Sequence, residues 1–282
     1  MNIDKKYYQE INENLTNTIQ DTNISAPNKK VGKVRDAYFL NDKVVMISTD
    51  RQSAFDRVLA AIPYKGAVLN SVSAWWFKKT EHLFPNHLIS TPDPNVSIVE
   101  KCTVFPVEFV VRGYITGTTD TSLWTVYNNG DREYCGNSLP EGLKKNDKLD
   151  KPMLTPTTKD KVHDRPVSRE EIIDLGLMSA EDYDLAAKMS LDLFAFGQET
   201  AKKNGLILVD TKYEIGTDSK GKIKFVDEIH TPDSSRFWIS SSYKDRINSG
   251  QEPENIDKEF LRLWFAKNLS LIHISEPTRR LV

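Results

Sequence analysis

Residues 206–236, LILVDTKYEIGTDSKGKIKFVDEIHTPDSSR, restrict what this chain can fold into more than any other stretch. Two runs rich in β-branched and aromatic residues flank a polar break, a pattern that predicts a β-hairpin. Successive side chains of a strand point to opposite faces. Ile207, Val209, Thr211, Tyr213 and Ile215 are therefore expected on one face, and Leu206, Leu208, Asp210, Lys212 and Glu214 on the other. An acid, a base and an acid then stand in a row where an apolar pattern would not put them. The second run, residues 222–229, contributes Asp227 and Glu228. A turn centred on Lys220-Gly221 would set Glu214 directly opposite Asp227. Like charges directly opposite across a ladder are destabilising, and a divalent cation would remove that penalty. Mg2+ binds through one or two carboxylates together with phosphate oxygens, so this pair is a candidate metal site.

The chain as a whole sets broader bounds. With 282 residues, 39% hydrophobic and 28% charged, it can bury one large core or two smaller ones. A net charge of −2 gives no reason to expect nucleic-acid binding. Cys102 and Cys135 are the only cysteines, too few for a disulfide framework, and they read as reduced thiols. The opening MNIDKKYYQEINENL is polar and helical rather than a secretory signal, and no apolar run approaches bilayer length. These features predict a cytoplasmic protein with no membrane association; they leave the oligomeric state open, with a monomer favoured over an oligomer.

Ile11, Leu15 and Ile19 recur every four residues and predict a surface helix through them. VRDAYFL and KVVMIST around Asn41-Asp42 predict a hairpin. A helix over residues 67–77 and strands over residues 97–114 follow. Residues 128–152 are polar and read as an extended surface excursion. Ser168 with Glu171, and Ser179 with Asp182, have capping-box spacing; the second helix should stop at Gly205. The fold class expected is α+β.

Neither common phosphate fingerprint, GxxxxGK[ST] or GxGxxG, is present. Lys33, in GKVRD, could reach a triphosphate, although such a string is usually a solvated strand edge. In RGYITGTTD, residues 112–120, Thr118 and Thr119 precede the helical TSLWTVY and would lie at a helix N-terminus, a natural anion site. The plainer reading is a glycine turn with a Thr or Asp cap. TPTTKDKVHD, residues 155–164, gathers hydroxyls, Lys159, His163 and Asp164 in one loop. Arg236 can form a bidentate pair with phosphate or carboxylate. The five histidines show no metal-ligand spacing with the cysteines, so zinc is not expected.

GKVRD, DRQSAFD, IPYKGAVLN, VVRGYITGT, PTTKDKVHD, LVDTKYEIG and VDEIHTPDSSRFW stand in the order seen in one enzyme family. Over residues 32–268 the chain resembles the SAICAR synthetases, the phosphoribosylaminoimidazole-succinocarboxamide synthases of purine biosynthesis. The resemblance implies a ligase that joins L-aspartate to carboxyaminoimidazole ribonucleotide with ATP and Mg2+. It implies a β-rich nucleotide lobe over residues 1–110, similar in arrangement to a protein-kinase small lobe, and an α+β substrate lobe over residues 111–268. Carried onto matching positions, Lys33, Val104 and Lys159 would contact ATP, and Glu214 and Asp227 would hold Mg2+ and nucleotide. Arg112, Thr118 and Arg236 would bind the ribonucleotide, with Asp233 and Arg246 assigned beside them. Asp210, Lys212 and Asp164 are the catalytic candidates, Asp210 and Asp164 as proton acceptors.

Three departures stand out. Thr118 replaces a serine common in the family, Gln52 stands where an apolar residue is usual, and the 128–152 excursion matches the longer members. Residues 269–282 show no continuing periodicity and read either as an irregular terminus or as a non-native end; we take them as the second. A small-molecule kinase using the same ATP lobe is the alternative function, and a non-catalytic nucleotide-binding protein is a third.

Overall fold

Short polar turns cut the N-terminal third into strands. The computed structural model describes residues 5–54, 57–159, 165–260 and 264. The described parts of residues 1–75, 87–101 and 260–282 form one compact unit, and those of residues 76–86 and 102–259 form a second. Asp164 and the tail from residue 269 lie outside the described residues.

In the first unit, α1 (Lys5–Glu13) precedes β1 (Lys29–Val31), β2 (Arg35–Phe39) and β3 (Lys43–Ser48). The small ribbon β4 (Arg51–Ala54) and β5 (Arg57–Ala61) leads into α2 (Lys65–Thr80), whose end groups with the second unit. β6 (Leu88–Asp93) and β7 (Val96–Glu100) complete a five-stranded sheet of order β1-β2-β3-β7-β6. The hairpin expected at Asn41-Asp42 is present, with Phe39 opposite Val44. The first helix is shorter than its periodicity suggested. After Glu13 come Asn14, Thr16, Asn17 and Thr18, which compete for backbone hydrogen bonds and favour turns. Ile19 lies beyond it and donates its N–H to the Asp50 carboxylate at 2.8 Å.

The second unit is built on β8 (Thr103–Tyr114). It continues through α3 (Leu123–Asn128), β9 (Glu133–Tyr134), β10 (Asn137–Ser138), β11 (Lys148–Leu154) and β12 (Thr157–Thr158). Two helices follow, α4 (Arg169–Asp174) and α5 (Ala180–Lys203), and then β13 (Leu206–Thr217), β14 (Ile223–Val226), β15 (Ser235–Ile239) and α6 (Ser240–Asn248). The expected lobe boundary at residue 110 falls inside β8, all of which belongs to this unit. β13 is the central strand, with β8 on one side and β14 and β15 on the other. The helix caps form where their spacing placed them. Ser168 and Glu171 make a reciprocal capping box, and Ser179 accepts the Asp182 N–H. α5 ends with Asn204 as its cap and Gly205 at φ +72°, the left-handed conformation glycine adopts without a Cβ clash.

Three expectations fail for local physical reasons. Residues 128–152 are no loose excursion: Tyr134, Leu139 and Leu149 pack with Ile115, Leu123 and Tyr127 into a small core. Sequence polarity hid it, because the apolar residues are spread singly among turns. Thr118 and Thr119 do not begin α3; Ser122 is its N-cap and accepts the Thr125 N–H. Strict alternation along β13 is broken where its register against β15 shifts between Leu208 and Asp210. Leu208 and His230, the hydrogen-bond partner of Tyr213, both close on Gly197 of α5, while Val209 packs with Tyr114 and Trp238. Among the described residues, no helix is long and apolar enough to cross a membrane.

Candidate active site

The β13–β14 register overturns the facing of Glu214 and Asp227. Glu214 stands opposite Val226, not Asp227. Asp218 decides this: its carboxylate accepts the N–H groups of Lys220 and Lys222, each at 2.9 Å, and holds a longer turn than Lys220-Gly221 alone. β14 stops at Val226, and Asp227 follows at φ +60°. The left-handed conformation turns the chain out of the ladder and is better tolerated by Asp than by most residues.

The residue that does face Glu214 is Glu108, its partner on β8. Lys212 bridges them, its ammonium 2.7 Å from Glu108 and 3.1 Å from Glu214. Lys159 adds a second ammonium on the other oxygen of Glu214. It directly follows β12, which pairs with β8 at Glu108. Burial alone would lower the pKa of Lys212, but the charges of Glu214, Glu108 and Asp227 drive it well above the usual lysine range. Asp227 therefore acts on this cluster from beyond the strand end. Val104 is an exposed residue near the start of β8, opposite Gly216, where an added Cβ would come within 2.6 Å of the Thr103 carbonyl oxygen.

Two residues along, Asp210 is flanked by arginines on both neighbouring strands. It is the register partner of Arg112 on β8 and of Arg236 on β15. Its Oδ2 lies 2.5 Å from Arg236 Nη1 and 3.7 Å from Arg112 Nη1. Arg112 Nε donates to the buried Thr155 hydroxyl at 2.8 Å. Arg236 Nη2 lies 3.5 Å from Glu259, which accepts a hydrogen bond from Thr118 at 3.1 Å. The Nε of Arg236 is buried without a hydrogen-bond partner among the described residues. Burial works against its charge, but Asp210, Glu259 and Asp257 hold it protonated, above the usual arginine range. Burial pushes the Asp257 carboxyl up to about 6, against the pull of the Phe237 and Glu259 N–H groups and Arg236.

The sequence-predicted residues thus separate into groups. Arg112, Asp210, Arg236 and Thr118 form one connected network, joined through Glu259. Lys159, Lys212 and Glu214 form a second. Asp233 lies in the turn after Thr231, whose hydroxyl accepts its N–H, and the neighbouring Ser234 carbonyl accepts the Lys212 N–H. Arg246, in α6, donates from Nε to the Glu252 carbonyl at 2.6 Å and so closes the loop after its own helix.

In the first unit, Lys33 occupies the β1–β2 turn. Arg51 holds that turn by donating to the carbonyls of Gly32 and Lys33, at 3.0 and 3.2 Å, and pairs with the buried Asp36 at 2.7 Å. Burial raises the Asp36 pKa, but Arg51, Thr22 and Lys29 together hold it below the usual carboxylate range. Glu108, Arg51, Asp257 and Glu259 were not singled out from the sequence. Each lies in an unremarkable local string, and only strand pairing or chain return brings Arg51 to Asp36 in the first unit, and Glu108, Asp257 and Glu259 to the charged groups of the second.

The sequence profile of the SAICAR synthetase family matches residues 28–275. A phosphoribosylaminoimidazole-succinocarboxamide synthase of Legionella pneumophila (strain Lens) is 60% identical over 247 residues, 88% of this chain and 79% of that protein. The SAICAR synthase of Saccharomyces cerevisiae, solved in complex with SAICAR, superposes with a TM-score of 0.76 at 33% identity, covering 89% of this chain and 88% of that one. A type-2 SAICAR synthetase solved with ADP gives 0.70 at 27% identity, over 87% and 93% of the two chains. With its profile match spanning most of its length, this chain belongs to the SAICAR synthetase family.

Proposed function

We propose that the chain joins the amine of L-aspartate to the carboxylate of carboxyaminoimidazole ribonucleotide, with conversion of ATP to ADP and phosphate. The observation that carries this reading is the placement, on one sheet, of a two-arginine network beside a lysine–carboxylate cluster. The first suits a phosphate or carboxylate of a ribonucleotide. The second suits a polyphosphate. The family membership and the solved relatives that carry SAICAR and ADP support it.

An amine does not displace an oxide from a carboxylate. In the reaction proposed, a carboxylate oxygen of the ribonucleotide takes the γ-phosphoryl group and ADP leaves. The aspartate amine then attacks the acyl carbon, the C–O bond to phosphate breaks, and the nitrogen loses a proton. Lys159 stabilises the charge that develops on the transferred group, and Lys33 is assigned to ATP. Glu214 and Asp227 would hold Mg2+, since carboxylate oxygens are the donors it prefers, and when bound it neutralises phosphate charge. Arg112 and Arg236 position the ribonucleotide, and Asp210 orients both guanidiniums. With Oδ2 committed to them, Asp210 serves better as an orienting group than as the proton acceptor. The sheet β1-β2-β3-β7-β6 is read as an ATP lobe arranged like a protein-kinase small lobe, in a monomeric cytoplasmic enzyme.

ADP release measured with the ribonucleotide, with and without L-aspartate, tests this. Turnover to SAICAR that requires L-aspartate is expected. Release that ignores aspartate and leaves a stable phosphorylated ribonucleotide would instead identify a small-molecule kinase.

A further inference from the structure

We propose that Arg51 and Thr49 are positioning residues for ATP: they hold the backbone of the loop that carries Lys33, and so fix where its ammonium stands. This rests on the assignment of Lys33 to ATP. It gives a role to the opening of DRQSAFD, residues 50–56, a motif that the reaction as proposed does not use.

The loop needs outside support. Lys33 and Val34 lie between Gly32 and Arg35, and the Gly32 N–H donates to the Arg35 carbonyl at 2.8 Å. Two-residue hairpin turns whose twist matches the flanking strands require a left-handed φ at one or both central residues. Neither Lys33 nor Val34 has one. Lys33 is also exposed, and its flexible stem places the charge only as well as the backbone is placed. Two buried residues supply the support by taking three consecutive carbonyls. Arg51 donates from Nη2 to Gly32 at 3.0 Å and from Nε to Lys33 at 3.2 Å. Thr49 donates to Val34 twice, from its N–H at 2.9 Å and its hydroxyl at 2.8 Å.

Arg51 is itself fixed. Its Nη1 donates to the Gln20 carbonyl, and its Nη2 pairs at 2.7 Å with Asp36, a fully buried carboxylate that Thr22 and Lys29 also bind. The preceding residue, Asp50, accepts the N–H groups of Ile19 and Gly66 at 2.8 and 2.9 Å. All three guanidinium nitrogens are thus committed within the fold, so Arg51 acts through Lys33 and not on the phosphates. The rigid fork of an arginine spans these four acceptors. A lysine nitrogen can stay with Asp36 but cannot also hold both loop carbonyls.

The test is calorimetric titration of the full chain with ATP and MgCl2, and separately with carboxyaminoimidazole ribonucleotide, each variant being held well below its melting temperature. Arg51→Lys should raise the dissociation constant for ATP about tenfold, the scale of effect that misplacing a binding group produces. Thr49→Val keeps the N–H bond to Val34 but loses the hydroxyl bond, and should raise it several-fold. Affinity for the ribonucleotide should be unchanged in both. In a chain already carrying Lys33→Met, Arg51→Lys should add less than about a twofold change, because residues that act through one another are not additive. Equal weakening for both ligands, or an undiminished effect in the Lys33→Met chain, would make the clamp merely structural and overturn the proposal. Should Arg51→Lys not fold, Thr49→Val decides by the same comparisons. If Lys33→Met alone leaves ATP binding unchanged, the assignment of Lys33 has failed, and the proposal falls with it.

Discussion

Glu108 and Glu214 stand directly opposite each other on β8 and β13, and the Lys212 ammonium sits within 2.7 Å of the first and 3.1 Å of the second. A facing carboxylate pair was expected in this chain, but with the wrong partner. Its repulsion is relieved inside the protein by a lysine on the same strand as one of the acids.

That arrangement makes Lys212→Met destabilising, because it removes the one cation that bridges the two facing carboxylates. The cluster is partly exposed, so the loss should be modest, about 1 kcal/mol. Adding Glu108→Gln should recover part of it. Urea melts of the two single variants and the double variant check this; strictly additive losses would show that Lys212 and Glu108 are uncoupled.

Glu214→Gln and Asp227→Asn should each lower kcat by about 100-fold, near 2.7 kcal/mol of transition-state stabilisation. Their stabilities should differ. Glu214→Gln weakens contacts to both Lys159 and Lys212 and should melt lower than wild type without ligand. Asp227→Asn keeps a residue suited to φ +60° and should melt within a few degrees of wild type. Equal melting shifts, or near-normal turnover of either variant in an ADP-release assay, would count against these roles.

Arg236→Lys keeps the charge but loses the planar fork that reaches Asp210 and Glu259. The KM for the ribonucleotide should rise far more than the KM for ATP. Steady-state kinetics with each substrate varied in turn measures both, and equal rises would remove Arg236 from the ribonucleotide site.

Gly197→Ala should destabilise by about 1–3 kcal/mol through overpacking. The added Cβ would fall 2.4 Å from His230 Cε1 and 2.8 Å from Leu208 Cδ2. Denaturant unfolding reads this directly, and an unchanged midpoint would mean that α5 can shift away from the sheet.

Burial drives the His230 pKa down to about 3, so the ring is neutral in the fold and bonded to the Tyr213 hydroxyl. A base whose folded pKa lies below its unfolded value, near 6.5, binds fewer protons when folded. Its contribution is present above pH 6.5 and is lost as pH falls toward 3. His230→Asn removes that dependence. Its destabilisation relative to wild type should therefore shrink by about 1.4 kcal/mol per pH unit between pH 6.5 and 4. Asp257 has the opposite sign: with its pKa raised to about 6, it stabilises the fold as pH falls through that value. Comparing the variant with wild type at each pH cancels this second contribution. A constant difference across the range would mean that the ring titrates normally.

Local sequence carried much of this protein. The Asn41-Asp42 hairpin, the caps at Ser168 and Ser179, and the stop at Gly205 follow from turn and cap chemistry, which acts over a few residues. The charged run Asp210, Lys212 and Glu214 stood out because carboxylates and a lysine interrupt a strand pattern. Tertiary structure decided what those charges meet. Asp218 lengthened the turn and moved Asp227 out of register, and a bulge after Leu208 changed which residues share a face. Glu108 reached Glu214 only because β8 pairs with β13, more than a hundred residues away in sequence. Glu259 reached Arg236 by a much shorter return of the chain. Periodicity and capping act along the chain, but partners across a sheet are chosen by register, which one hydrogen-bonded turn or one bulge can shift.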